Sequence, residues 1–132
     1  MSTRNFGEPV KRVEDPRLVT GRGRYVDDIG DDQTLHAAFV RSPHARATIT
    51  DIDLEAAYDV DGVIAVYTYE DLDGPLAEPM PLLIPHPDLT HPRHPFPLAK
   101  DRVSHVGEAV AMIVARDRYV AEDAAAQVKV DY

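Results

Sequence analysis

Residues 34–52 read TLHAAFVRSPHARATITDI, and this stretch decides the fold class. Side chains at 35–40 and again at 45–50 alternate with a period of two, which places one face of a strand on a core and the other in water. Between the two runs, Ser42-Pro43 interrupts the pattern, because proline cannot donate to a strand ladder. The stretch therefore predicts a strand, a hairpin-like bend and a second strand.

The bend, RSPHARA at 41–47, contains residue types that a hydrolase uses, at Arg41, Ser42 and His44. A Ser–His nucleophile pair needs both side chains within hydrogen-bond reach and an acid that orients the histidine. Pro43 lies between them, and the glycines of a nucleophile elbow do not flank Ser42. The sequence therefore favours a bend whose polar groups bond to the backbone, and we assign no catalytic residue.

The rest of the chain predicts a mixture of helices and strands. Residues 1–33 are polar and predict an irregular arm with at most a short strand, and residues 34–132 predict the folded domain. After the bend we expect a short helix capped by Asp53, an inner strand at 63–69 and a helical turn at 69–72, followed by a loop at 74–97. After the loop we expect a strand from 102 that breaks at Gly107 and an inner strand at 108–115. A helix capped by Asp117 and a last strand complete the order. This order favours an α+β domain over a doubly wound parallel sheet.

Composition narrows the classes of partner. The chain has 132 residues and a net charge of -9, which disfavours nucleic acid and anionic membranes as partners. It contains no cysteine, so disulfides, thiolate zinc sites and cysteine-ligated iron–sulfur clusters are excluded within it. No apolar run approaches the length of a membrane span, and the first residues lack the apolar core of a secretory signal. We therefore expect a cytoplasmic protein.

Other polar groups are weak candidates for a site. Most of the eleven prolines lie at 74–97, which makes this loop either functional or mobile. His86, His91 and His94 fall within it at metal-ligand spacings, but the neighbouring prolines hold the segment extended, so we expect no metal there. Glu108 follows a glycine at the start of a strand, where a lone carboxylate more often accepts backbone N–H groups than acts as a general base.

Five stretches in order carry a family resemblance. They are VKRVEDPRLVTGRGRYVDDI at 10–29, LHAAFVRSPHARATITDID at 35–53, DGVIAVYTYEDL at 61–72, PLAKDRVSHVGEAVAMIVARD at 97–117 and AEDAAAQVKVDY at 121–132. Together they resemble the N-terminal α/β hammerhead domain of the large subunit of molybdenum hydroxylases, the family of xanthine dehydrogenase, aldehyde oxidase and aerobic carbon monoxide dehydrogenase. RSPHARA and VGEAVA, at their separation, are the specific motifs, and the resemblance covers residues 7–132.

The resemblance implies that RSPHARA is scaffold, in the bend between two strands. It places the molybdopterin contacts and the catalytic glutamate in downstream domains, so no catalytic, cofactor-binding or metal-binding residue transfers to this sequence. For the complete enzyme it implies a molybdopterin cofactor, iron–sulfur clusters and FAD, with the iron–sulfur and flavin parts in separate subunits. Large subunits of this family continue for several hundred residues, so we expect an excised domain, a truncated gene product or a split subunit.

Two functions follow as hypotheses. The first is a non-catalytic hammerhead domain or split subunit of a carbon monoxide dehydrogenase-like large subunit, inactive alone, with scaffold and interface roles. The second is a stand-alone protein-binding module that uses the proline-rich loop. A domain whose neighbours normally cover it exposes apolar surface, which predicts self-association through the loop, including Met80 and Leu82, or through the edge of the last strand. The predicted interface residues are Arg41, Ser42, Pro43, His44, Leu83, Ile84, Phe96, Val128 and Val130.

Overall fold

The computed structural model describes residues 9, 11–81, 84, 86–90 and 94–132, and it divides the chain into two units, at 1–33 and 34–132. The first unit contains a short helix, α1 (Asp15–Val19), with Pro16 in its first turn, and a 3-10 helix at Val26–Asp28. The expectation of at most a strand here is wrong, because proline with its fixed φ suits the start of a helix. Among the described residues of this unit, none is buried.

The second unit mixes strands and helices, which confirms the predicted α+β class. Its elements are β1 (His36–Arg41), β2 (Ala47–Thr48), β3 (Asp51–Asp53), α2 (Glu55–Tyr58), β4 (Val63–Tyr67), β5 (Arg102–Val103), β6 (Ala109–Ala115), α3 (Arg118–Gln127) and β7 (Lys129–Asp131). Two 3-10 helices, Tyr69–Asp71 and Gly74–Ala77, follow β4, and the second of them lies in the loop where the prolines predict no regular element. None of the described helices is long and apolar enough to cross a membrane.

The strands form three antiparallel sheets, in the orders β1-β6-β4, β2-β5 and β3-β7. The predicted hairpin at the bend is wrong, because β1 pairs with β6 while β2 pairs with β5. The predicted inner strand at 63–69 is also corrected, since β4 lies at an edge of its sheet and β6 is the central strand. Pairing across some 70 residues is invisible to local periodicity, which reports only which side chains share a face.

The main core lies between the β1-β6-β4 sheet and the helices α2 and α3. Val66 and Ile113 from the sheet cluster there with Ala57 and Ala124 from the helices. The helix α3 begins at its predicted cap, Asp117, whose carboxylate accepts the backbone N–H groups of the second and third helical residues at 2.8 and 3.4 Å. Its buried residues are alanines, which let the helix lie close to β1 and β6.

A second core cluster joins the smaller sheets. Ala99, Val103 and Val110 are buried there, and side chains of β2, β3 and β7 pack around them. The predicted helix cap at Asp53 is shifted by one residue: Leu54 is the N-cap of α2, and Asp53 ends β3. The Asp53 carboxylate nevertheless accepts the backbone N–H of Glu55 at 3.1 Å, so it supports the start of the helix from outside.

Candidate functional site

The two specific motifs of the sequence meet at the end of β1. The Ser42 N–H donates to the Glu108 carbonyl at 2.9 Å, and the Gly107 N–H donates to the Ser42 carbonyl at 2.8 Å. The Arg41 guanidinium donates to the Gly107 carbonyl at 2.8 Å. We call residues 41–44 with 104–108 the Ser42–Glu108 junction, and it ties the bend after β1 to the turn before β6.

The Ser42 hydroxyl is committed to the backbone. It accepts the His44 N–H at 3.0 Å and donates to the His44 carbonyl at 3.2 Å, and the residue is only 2% exposed. The imidazole of His44 instead lies edge-on to the ring of Tyr132, with 4.7 Å between ring centroids. A serine nucleophile needs its hydroxyl hydrogen directed at the imidazole, so this geometry is that of a turn.

Glu108 closes the junction from the other side. It is 6% exposed, and its carboxylate accepts the Ser104 N–H at 2.5 Å. The same oxygen lies 3.4 Å from Nδ1 of His105, whose side chain is mostly exposed. Acceptance of a backbone N–H is what the sequence predicts for this residue. Gly107 supplies the turn, with φ at +87°, a left-handed conformation that side chains other than glycine adopt at a cost.

Beside the junction lies an open cleft of about 750 Å³, lined among others by His94, Phe96, Lys100 and Glu108. Phe96 is half-buried, because its ring packs edge-on against Tyr69 at 5.0 Å between centroids. The Lys100 ammonium lies 5.0 Å from the Tyr69 ring centroid and 5.8 Å from that of Phe96, within the range of a cation–π contact. Phe96 thus stabilises the end of the proline-rich loop against the 3-10 helix that begins at Tyr69.

The histidines of the proline-rich loop differ from one another in their surroundings. His86 accepts the Asp88 N–H through Nδ1 at 3.2 Å, which is a local turn contact, while His94 lines the cleft. His91 lies outside the described residues. Among the residues that the structure describes, no group of three or more His, Cys, Asp or Glu side chains could hold a metal ion. The expectation that the loop binds no metal stays a prediction.

The predicted interface residues differ in their exposure. Arg41, Ser42, Pro43 and His44 lie at the junction, Ile84 is 74% exposed in the loop, and Leu83 lies outside the described residues, as does Leu82. Met80 is 42% exposed. Val128 and Val130 are half-buried, because they pack against the two core clusters, and the expectation of an interface at the edge of the last strand stays a prediction.

A further apolar surface, which is not among the predicted sites, lies on the β1-β6-β4 sheet. Phe39 is 42% exposed and Tyr67 is 37% exposed, and both lie on the side of the β1-β6-β4 sheet that α2 and α3 leave uncovered. In β1, Ala37 and Phe39 alternate with His36, Ala38 and Val40. Bulk favoured burial of the Phe39 face, but the burial pattern of β1 places the other face inward.

Comparison with known protein families gives one match over most of the chain. The model for the "Aldehyde oxidase and xanthine dehydrogenase, a/b hammerhead domain" matches residues 20–132. Both the Ser42–Glu108 junction and the β1-β6-β4 sheet fall within that range. The motifs that meet in the structure are therefore contained in the matched domain.

Individual relatives are large subunits of oxidoreductases. The chain is 46% identical to the nicotine 6-hydroxylase large subunit of Paenarthrobacter nicotinovorans, over 92% of the chain and 15% of the relative. It is 43% identical to the carbon monoxide dehydrogenase large chain of Afipia carboxidovorans, over 92% of the chain and 14% of the relative. The crystal structure of a Cu,Mo-CO dehydrogenase superposes with a TM-score of 0.80 at 43% identity, covering 96% of this chain and 15% of that one. The chain thus spans about a seventh of the length of these relatives.

Proposed function

The chain belongs to the aldehyde oxidase and xanthine dehydrogenase family as an a/b hammerhead domain, and on this premise we propose that it is a non-catalytic scaffold and interface domain of a molybdenum-dependent hydroxylase or dehydrogenase. One observation carries the proposal. The Arg41 guanidinium, the Ser42 hydroxyl and the Glu108 carboxylate all bond to the main chain of the junction. Side chains engaged with the main chain in this way hold a fold together, and those of Ser42 and Glu108 are also buried and so not accessible to a substrate.

The donor set of the chain does not fit the iron–sulfur clusters that the family implies. The chain has no cysteine, and protein-bound clusters of this kind are held by cysteine thiolates. We therefore assign the iron–sulfur clusters to other polypeptides, together with FAD, and the molybdopterin cofactor to the part of the large subunit outside this chain. No step of the reaction is assigned to a residue of the hammerhead domain.

The proposed partners follow from the relatives. Two of them are named as large chains or large subunits, and a third, 38% identical, is named subunit gamma of a 6-hydroxypseudooxynicotine dehydrogenase complex. We propose that this chain works with the remainder of a large subunit and with iron–sulfur and flavin subunits. These matches favour that role over a stand-alone protein-binding module. Because carbon monoxide dehydrogenase large chains are among the relatives, we take that enzyme as the model for the assembly. A cytoplasmic location and self-association through the loop or through β7 stay predictions.

A domain exchange tests the proposal. Residues 20–132 of this chain would replace the matched region in the carbon monoxide dehydrogenase large chain of Afipia carboxidovorans. We expect the chimera to assemble, to retain molybdenum and to reduce a dye with carbon monoxide, because the replaced region supplies scaffold only. The parent large chain is the control. The isolated chain, assayed in parallel, is expected to contain no molybdenum and to reduce no dye.

Two results would contradict the proposal. One is a chimera that is produced in soluble form but neither assembles nor holds molybdenum. The other is stoichiometric molybdenum or dye reduction in the isolated chain, which would place chemistry within the hammerhead domain itself.

A further inference from the structure

The uncovered side of the β1-β6-β4 sheet carries two rows of apolar side chains. Phe39 pairs with Met112, and Met112 pairs with Tyr67, so these three lie in one row across the sheet. The next row consists of Ala37, Val114 and Ala65. We call these six residues the outer sheet face.

Both helices of this unit lie on the opposite side. The inner side presents Ile113 and Val66 to Ala57 of α2 and Ala124 of α3, and these four residues are buried. On the outer sheet face, by contrast, Phe39 is 42% exposed and Tyr67 is 37% exposed. Among the described residues, the sheet therefore has a covered side and a more open side, on which Met112, Val114 and Ala65 are half-buried between exposed neighbours. Apolar surface left open in this way marks an interaction site.

Charge distinguishes the outer sheet face from the rest of the surface. The chain has 23 Asp and Glu residues, yet β1, β4 and β6 contain none of them. The border is cationic, because the Arg41 guanidinium lies 5.5 Å from the Phe39 ring centroid. A partner that fits this face is apolar at its centre and carries an acidic group at the position facing Arg41.

We infer that the outer sheet face docks against the part of the large subunit that lies outside this chain, an inference that rests on the proposed function. The relatives offer such a partner, because the chain spans only 15% and 14% of their lengths. A second copy fits less well, since each copy carries a net charge of -9 and two like-charged copies repel each other. One side of the sheet thus packs in the domain's own core, and the other side contacts the rest of the large subunit.

Co-expression tests this docking directly. The chain would be produced together with the Afipia carboxidovorans large chain from which the matched region has been removed, and recovery of the complex would be measured by affinity purification. Replacing an aromatic anchor by a charge, as in Phe39→Glu, is expected to weaken recovery by about tenfold or more. Tyr119→Glu is the matched control, because Tyr119 is an aromatic residue of α3 that is 75% exposed and lies away from the outer sheet face, and it should change nothing.

Thermal unfolding of each purified chain separates docking from folding. Phe39→Glu should unfold at nearly the temperature of the unmodified chain, and the milder Tyr67→Ala serves as a second variant if it does not. Undiminished recovery of folded Phe39→Glu or Tyr67→Ala overturns the inference. So does a homodimer of the free chain that Phe39→Glu dissociates, because the occupant would then be a second copy. If the unmodified chain is not recovered in the complex, the docking inference is also overturned. The domain exchange described above tests the proposed function independently of this result.

Discussion

The inner and outer faces of the β1-β6-β4 sheet consist of alternate residues of the same strands, but they end in different surroundings. On the inner face Ile113 is fully buried under α3, and on the outer face its neighbour Met112 is only partly covered. Both faces are apolar, so hydrophobicity alone does not distinguish them. Within the described part of residues 34–132, α2 and α3 cover one apolar face of this sheet. We propose that another part of the large subunit covers the second face.

The largest expected effect is at the inner face. Ile113→Ala should lower the free energy of unfolding by about 2–5 kcal/mol, because it removes buried methyl groups and leaves a cavity between the sheet and the helices. Met112→Ala, on the outer face of the isolated chain, should cost less than about 1 kcal/mol. Urea denaturation followed by circular dichroism measures both. Equal losses would break the comparison, because the outer face would then be part of the core.

The next largest effect is at the junction that fixes the end of β1 to the start of β6. Ser42→Ala should cost about 1–2 kcal/mol, because it removes the buried hydroxyl that bonds to both the N–H and the carbonyl of His44. The exposed Ser104 provides the control, since Ser104→Ala keeps the backbone N–H that Glu108 accepts. The same denaturation experiment applies. A loss at Ser104 as large as that at Ser42 would show that burial of the hydroxyl is not what matters.

Gly107 tests the contribution of the junction's backbone conformation to stability. Gly107→Ala should cost about 1 kcal/mol, because its φ of +87° is unfavourable for alanine although a new Cβ would meet no atom within 4 Å. Gly107→Asn should cost less, since asparagine tolerates left-handed conformations better. Thermal unfolding of the three proteins gives the order. Alanine as stable as glycine would mean that the turn before β6 relaxes freely.

The smallest effect is expected at the other end of the chain. Removing residues 1–33 should change the free energy of unfolding of the remainder by less than about 0.5 kcal/mol, because no described residue of that unit is buried. The experiment also tests the proposal that 34–132 is the folding domain. A truncated chain that loses its cooperative transition would contradict it.

Much of the local structure was predictable from sequence. Alternation in β1, the interruption at Ser42-Pro43 and the Asp117 cap of α3 each have a short-range physical cause, and the structure contains all three. The acceptor role of Glu108 followed from its place after a glycine at the start of a strand. The family resemblance, with the hammerhead fold that it implies, is confirmed by the comparisons.

The pairing of strands that are distant in the chain could not be predicted from sequence. The partner of β1 is β6, some 70 residues away, and local periodicity indicates which side chains share a face but not which strands pair. The inward face of β1 was also unpredictable, because Phe39 has more apolar surface than Ala38 yet faces outward. The alanines of α3 explain this choice after the fact: a helix lying close to the sheet leaves room for small side chains beneath it.

Hydroxyl-radical footprinting of the outer sheet face tests the central claim most directly. Labelling of Phe39, Tyr67 and Met112 would be measured by mass spectrometry in the isolated chain and in the chimeric large subunit, with the exposed Tyr119 as the internal reference. We expect the three residues to be labelled in the isolated chain and to lose most of that labelling in the chimera, while Tyr119 is labelled equally in both. Equal labelling of Phe39, Tyr67 and Met112 in the two proteins would contradict it.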